Sequence, residues 1–339
     1  MIDSVIERYK KIRTAKMLNR RCAWKYAFVG LGQHSLSNLY PLLDYLHVPL
    51  KWIVVRSEEK ARMIEAKYQG VKATSRLDDV LNDSEVRGVL VAATPKANFE
   101  IGRRVLESGK YLFVEKPPCL TISELETLGQ LSEGNRLVIG LQKRYAPCTA
   151  ELQKHLAKET VHSYSMSYRT GSYAEGDAMT DLFIHPLDLV TAIFGQAEVV
   201  GVARNAGTIM ALLNHSGVIG QVEMSTDYSW TDAHENLRVV TNRAVYEMEQ
   251  MEQLTSEAKG RVVIGVPMEK VFGGHIVREQ LFGRNNFVPT LVNNQVYTQG
   301  YYNEIDTFVS AVEGWGGKVL TRASDVLETY RLMEAVSKR

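Results

Sequence analysis

Short apolar runs recur along residues 26–141, separated by stretches with helical periodicity. They predict strands at Tyr26–Val29, Leu50–Val55, Gly88–Ala93, Tyr111–Val114 and Leu137–Leu141. Each run is apolar on both of its faces, as expected where helices cover both sides of a parallel sheet built from β-α-β units. Start and stop signals mark the helices between them. Ser57 precedes a helix over Glu58–Tyr68, the Ser75–Asp78 and Thr121–Glu124 spacings read as capping boxes, and Gly109 follows a helix ending near Ser108.

After Pro147 the rhythm changes. A helix at Thr149–Ala157, a strand at Val161–Tyr168 and a helix at Thr180–Phe194, stopped by Gly195, lead into strand-like segments at 198–204, 207–213, 217–225, 236–241 and 244–250. Hairpin spacing with no helix between predicts a mostly antiparallel sheet. Residues 251–300 have weak periodicity and read as loop with short strands, and helices near Tyr302–Val312 and Ser324–Ser337 close the chain. The expected architecture is a doubly wound parallel α/β domain followed by an α+β domain with a large, mostly antiparallel sheet. The expected boundaries are 1–22 for a basic N-terminal extension, 23–146 for the first domain and 147–339 for the second, with the last helix free to pack back on the first.

Composition changes this picture little. The chain has 339 residues, 45% hydrophobic and 23% charged, which is ordinary for a folded protein with two cores. A net charge of +1 gives no sign of a nucleic-acid partner, and the most apolar stretch, Leu182–Ala203, is broken by His185, Asp188, Gln196 and Glu198, so no membrane span is expected. Eight basic residues against Asp3 and Glu7 within residues 1–25 read as a solvated or partner-packed helix, and no apolar signal segment accompanies them; a cytoplasmic location is expected. Cys22, Cys119 and Cys148 are too widely spaced to suggest a disulfide framework or a zinc site, and no metal is expected.

The candidate chemistry begins directly after the first strand. Gly30-Leu31-Gly32-Gln33-His34-Ser35 is a G-x-G-x-x-S turn opening a helix. Gly30 permits the tight turn, Gly32 lets backbone approach a pyrophosphate, and the helix N-terminus supplies unpaired N–H groups. The second strand ends in Val54-Val55-Arg56-Ser57, with no carboxylate for a ribose diol; arginine and serine suit a 2′-phosphate, which favours NADP over NAD. Lys116 lies at the C-terminal end of a parallel strand, where ligands bind in such sheets. Asp181, His185 and Asp188 fall at i, i+4 and i+7 of a helix and so share a face, where the carboxylates are expected to orient the imidazole and favour its protonated form. Pro186 removes one intrahelical hydrogen bond and is expected to kink this helix.

Ala93-Thr94-Pro95, Glu115-Lys116-Pro117 and Asp181-x-x-x-His185-x-x-Asp188, with the glycine turn and Arg144-Tyr145, resemble the Gfo/Idh/MocA oxidoreductase family over roughly residues 25–335. The resemblance implies a Rossmann domain and an NAD(P)-dependent oxidoreductase acting on CH–OH groups of a sugar, cyclitol or nucleotide sugar. It further implies cofactor contacts from Gly30, Gly32, Gln33, His34, Ser35, Arg56, Ser57, Thr94, Pro95, Asn98, Glu115, Lys116 and Arg144. Lys116 and His185 form the implied acid/base pair, with Asp181 orienting His185, and Tyr145 and Asp188 join Lys116, Asp181 and His185 around the substrate. A cis Lys116–Pro117 peptide is implied, as is a homodimer or homotetramer through the second-domain sheet, whose apolar positions include Val199, Val202, Ile209 and Val222. The chain departs from the family pattern at Asn98, where histidine is common, in the glycine-poor Glu175-Gly176-Asp177, and at Phe183, where a small residue is frequent. Two rival readings are a non-catalytic NAD(P)-binding regulatory protein, which would be expected to lose the lysine or histidine, and an NAD-dependent glycoside hydrolase of the same fold.

Overall fold

The computed structural model describes residues 2–18, 20–230, 232–260, 262–274, 277–285 and 290–339. Parts of the weakly periodic segment, at 261, 275–276 and 286–289, therefore lie outside the described residues. Strands β1 (Lys25–Val29), β2 (Leu50–Val54), β3 (Lys72–Thr74), β4 (Val86–Val91), β5 (Tyr111–Glu115) and β6 (Leu137–Gly140) form one sheet in the order β3-β2-β1-β4-β5-β6. Every pairing in it is parallel. This is the doubly wound order of a Rossmann fold, whose switch point lies between β1 and β4.

Alternation along the strands supplies two cores at once. Ala27, Val29, Val89, Val91, Leu112 and Val114 face helices Pro95–Glu107 and Ile122–Leu131, while Tyr26, Phe28, Leu90 and Phe113 face the other way. The second face is covered by Leu39, Leu42 and Leu43 and by Ile305, Phe308, Val309 and Val312 of helix Tyr301–Glu313. That helix comes from near the end of the chain. Arg20 ties the N-terminal segment to it, donating to Asp306 at 2.7 Å and Ser310 at 2.7 Å.

The second sheet is built from β7 (Val161–Gly171), β8 (Glu198–Arg204), β9 (Thr208–His215), β10 (Val218–Ser229), β11 (His234–Thr241), β12 (Ala244–Glu249) and β13 (Gln253–Ala258). The pair β14 (Val262–Val263) and β15 (Val266–Pro267) stands apart, and β16 (Arg278–Phe282) completes the large sheet in the order β16-β13-β12-β11-β7-β10-β9-β8. One pairing departs from the antiparallel expectation: β10 runs parallel to β7, because the helical segment between β7 and β8 returns the chain to the start of the sheet. β13 and β16 were hidden to pattern reading, since their burial follows no clean alternation. β3 is only three residues long and was missed for that reason.

Local signals fare unevenly. Thr121 and Glu124 form a reciprocal capping box, and Gly195 ends its helix at φ +85°. The Ser75–Asp78 box does not form; Ser75 donates to Glu58 instead, and the short helix Leu77–Leu81 starts without a side-chain cap. The last helix, Ala323–Ser337, lies against helices of both halves, its Val326, Tyr330 and Met333 sharing a core with Leu125, Leu128, Leu187 and Val190.

Candidate active site

The glycine turn leaves β1 under tight steric control. Gly30 has φ +108°, and a Cβ there would stand 2.1 Å from the Ala92 carbonyl oxygen on the neighbouring strand exit. Gly32 is the opposite case: a Cβ would meet nothing within 4 Å, so the backbone is bare towards a cavity of about 790 Å³. Gly30, Gly32, Gln33, His34, Ser35, Arg56, Thr94, Glu115 and Lys116 all line that cavity. Lys60 and Ser75 stand on its lining with Arg56, a cationic and hydroxyl grouping that the sequence reading did not assemble. Bare backbone at the glycine turn and two cations on the same lining fit a dinucleotide with an extra phosphate.

Three expected cofactor contacts sit behind this lining. Ser57 caps its helix by accepting from the Lys60 N–H at 3.3 Å, and Pro95 is the first residue of helix Pro95–Glu107. Asn98 is 1% exposed and works as a clasp: its Oδ1 accepts from the Ala93 N–H at 2.8 Å, and its Nδ2 donates to the Glu115 and Pro117 carbonyls at 3.2 and 3.1 Å. Amide donors and an acceptor are needed together there, which explains why asparagine suits the position. The two carbonyls flank Lys116, whose peptide bond to Pro117 is cis. The Glu115 carboxylate sits 3.2 Å from Nε2 of His34, whose ring also stands 5.7 Å from that of Tyr301.

Lys116 and the histidine segment meet across the two halves. The Lys116 ammonium donates to the Asp181 carbonyl oxygen at 2.5 Å, four residues before His185 in sequence. Beside it lies a second cavity of about 700 Å³, lined by His185, Lys143, Tyr168, Glu235, His234 and Tyr301 among others. Around the histidine the helix is irregular: a π turn at Met179–Phe183 passes into an α-helix at Ile184–Phe194, two residues before Pro186. The wider i→i+5 turn takes up the irregularity expected from the proline, and it removes Asp181 from the position one α-turn behind His185.

Several expected roles change accordingly. The Asp181 carboxylate accepts from the Tyr173 hydroxyl at 2.9 Å, while Nδ1 of His185 is enclosed with no hydrogen-bond partner. Asp188, 1% exposed, is committed to Arg144, with contacts of 2.6 to 3.1 Å, and accepts from the Thr329 hydroxyl at 2.9 Å. Arg144 also donates to the Leu320 and Asp325 carbonyls, and the Tyr145 oxygen accepts from the Leu320 N–H at 2.9 Å. Arg144, Tyr145 and Asp188 thus fasten the last helix from behind, and none of the three lines either cavity. Their neighbour Lys143 faces the cavity instead, because residues 142–145 form a 3-10 turn that sends adjacent side chains apart. It forms a buried ion pair with Glu235 and lies 5.1 Å from the Tyr168 ring centre. Tyr168 and Glu235 are register partners on β7 and β11, a pairing invisible from either strand alone.

The electrostatics run against the expected imidazolium. Burial, with Lys116, Lys143 and His34 adding to it, holds the His185 pKa well below its ordinary 6.5, so the ring is neutral near pH 7. Burial also lowers the Lys116 pKa from 10.5, against the opposing pull of Glu115 and Asp181. Among the described residues no group of three or more His, Cys, Asp or Glu side chains could hold a metal, and no helix is long and apolar enough to cross a membrane.

Residues 24–142 match the Gfo/Idh/MocA model, an oxidoreductase family with an NAD-binding Rossmann fold. The chain is 27% identical over 188 residues to the uncharacterized oxidoreductase YhhX of Escherichia coli, a match covering 51% of this chain and 54% of that protein. It is 22% identical to the scyllo-inositol 2-dehydrogenase (NADP(+)) IolW of Bacillus subtilis over 60% of each chain. The matches to YhhX and to two uncharacterized oxidoreductases of Schizosaccharomyces pombe span 54%, 32% and 33% of those relatives' lengths. Levoglucosan dehydrogenase in complex with NADH superposes at a TM-score of 0.78 with 14% identity, covering 93% of this chain and 96% of that one, which is a likeness of fold. The nucleotide-binding part of the chain, residues 24–142, is thus similar in sequence to the Gfo/Idh/MocA oxidoreductases, and both parts share the fold of a solved dehydrogenase.

Proposed function

We propose that this chain is an NADP-dependent dehydrogenase that exchanges hydride with the CH–OH carbon of a sugar or cyclitol, with Lys116 and His185 as its acid/base pair. The observation carrying the reading is the Lys116 ammonium, on the lining of the first cavity, donating to the Asp181 carbonyl of the segment whose His185 imidazole lines the second. NADP is preferred to NAD because the cations Arg56 and Lys60 line the first cavity and β2 ends without a carboxylate there.

A bound nicotinamide supplies the hydride acceptor in oxidation and the donor in reduction. The chain supplies the rest. Lys116 donates to the substrate hydroxyl oxygen and stabilises the negative charge that grows there as the C–H bond breaks. His185, neutral because burial and two lysines disfavour its cation, takes the hydroxyl proton at Nε2, the nitrogen not enclosed by the fold. Asn98 fixes the backbone on both sides of Lys116 and so aims the ammonium. In reduction His185 returns the proton to the forming alcohol.

The test is turnover of NADP with sugars and cyclitols by the Lys116→Ala and His185→Ala variants. Each is expected to lose about a hundredfold or more in kcat while still binding nucleotide. Near-normal rates in both overturn the assignment.

A further inference from the structure

Helix Ile2–Leu18 lines neither cavity and carries a surface that the proposed reaction leaves unused. Its Val5, Ile6, Tyr9 and Ile12 are 64%, 45%, 63% and 59% exposed. At about 100° per residue the four fall within roughly one third of the helix circumference, a single apolar stripe open to water. Arg8 and Lys10 stand on the two borders of that stripe and Lys11 on the opposite side of the helix, and all three are exposed. Within residues 1–18 five basic residues stand against Asp3 and Glu7, while the rest of the chain is slightly acidic, so the positive excess of the whole chain is confined to this arm.

The arm is fixed to the body at its root. Besides its bonds to Asp306 and Ser310, the Arg20 guanidinium lies 4.6 Å from the Trp315 ring centre, and the Glu313 carboxylate accepts from the Ala23 N–H at 2.8 Å. These contacts come just before Lys25, the first residue of β1, at the N-terminal ends of the parallel strands. The first cavity lies at the other ends, where Val29, Val54 and Glu115 finish their strands. The arm therefore joins the body on the side away from that cavity.

Whatever covers the helix has to meet both the stripe and its flanking cations. A nucleic acid would engage the cations and leave the stripe in water. A second copy of the helix would cover the stripe but bring two like-charged clusters together. An anionic lipid surface takes both at once: Val5, Ile6 and Ile12 enter the acyl boundary, the Tyr9 ring sits at headgroup depth, and lipid phosphates face Arg8, Lys10 and Lys11. We infer that helix Ile2–Leu18 is an interfacial anchor that lies on an anionic membrane surface and holds the chain there with its first cavity turned away. The inference does not depend on the dehydrogenase reading.

The experiment is co-sedimentation of the full chain with vesicles of phosphatidylcholine alone and of phosphatidylcholine with about 30% phosphatidylglycerol. The anionic vesicles should bind at least about tenfold more tightly than the neutral ones, and salt at about 0.5 M should weaken that binding. Two variants separate the contributions. Tyr9→Ser/Ile12→Ser keeps the charge and Arg8→Gln/Lys10→Gln/Lys11→Gln keeps the stripe, and each should weaken binding to the anionic vesicles about tenfold. The thermal unfolding midpoint should not move in either, because all five side chains are exposed. The anchor is overturned by failure to bind the anionic vesicles, by equal binding to both kinds, or by undiminished binding of either variant. Unbound vesicles together with an oligomer that Tyr9→Ser/Ile12→Ser turns into monomer would put the stripe between copies of the chain instead.

Discussion

In the proposed reaction the His185 side chain sets the acid limb of the pH profile. Its depressed pKa keeps the ring neutral, and able to accept a proton, down to well below pH 6.5. The kcat/KM for oxidation should stay level from neutral pH through 6.5 and fall only as pH drops through the lowered value, while the alkaline limb should fall below 10.5, as Lys116 loses its proton early. A pH–rate profile with its acid midpoint at or above 6.5 contradicts the buried, lysine-flanked imidazole. Arg56 decides a second question. It stands exposed on the first cavity beside Lys60, so Arg56→Asp should raise KM for NADP roughly tenfold or more and turn preference towards NAD. Preference for NAD in the unsubstituted chain would contradict the phosphate-binding role. The sequence made Lys116, His185 and the glycines legible because each occupies a fixed place on its own element. It left Lys143 and Glu235 obscure because a buried charge is recognisable only beside its partner.

At the scale of elements, Arg144 and Asp188 show how a motif residue can serve the scaffold. The pair joins the exit of β6 to helix Ile184–Phe194, and through the Leu320 and Asp325 carbonyls and Thr329 it holds the start of helix Ala323–Ser337. Asp188→Ala would leave the Arg144 cation buried without its counter-ion, a loss of about 3–5 kcal/mol in unfolding free energy measured with urea. A rise in KM with unchanged stability would instead support the substrate contact expected from the sequence. Helical periodicity correctly put Asp181, His185 and Asp188 on one stretch, but it assumed one α-helix throughout. The π turn at Met179–Phe183 broke the phase, so Asp181 pairs with Tyr173 and His185 stands apart from both carboxylates.

For the whole molecule the open face of the large sheet sets the next expectation. Val199, Val202, Ile209 and Val222 all lie on the side packed against the core helices, since they share alternation with Ala211 and Leu213. The opposite parity carries Met210, Leu212 and Ile219, which are 39%, 43% and 45% exposed. We propose that this patch joins a second copy of the chain. Sedimentation at micromolar concentration should give a dimer or tetramer, and Leu212→Lys should shift it towards monomer; a wild-type monomer removes the proposal. Apolar runs, caps and the glycine turn were enough to specify most strands and the doubly wound class of the first domain, because those depend on patterns close in sequence. Tertiary structure alone decided which late helix covers the first sheet, that β10 runs parallel to β7, and which charges meet in the second cavity, because each is a meeting of residues tens to hundreds of positions apart.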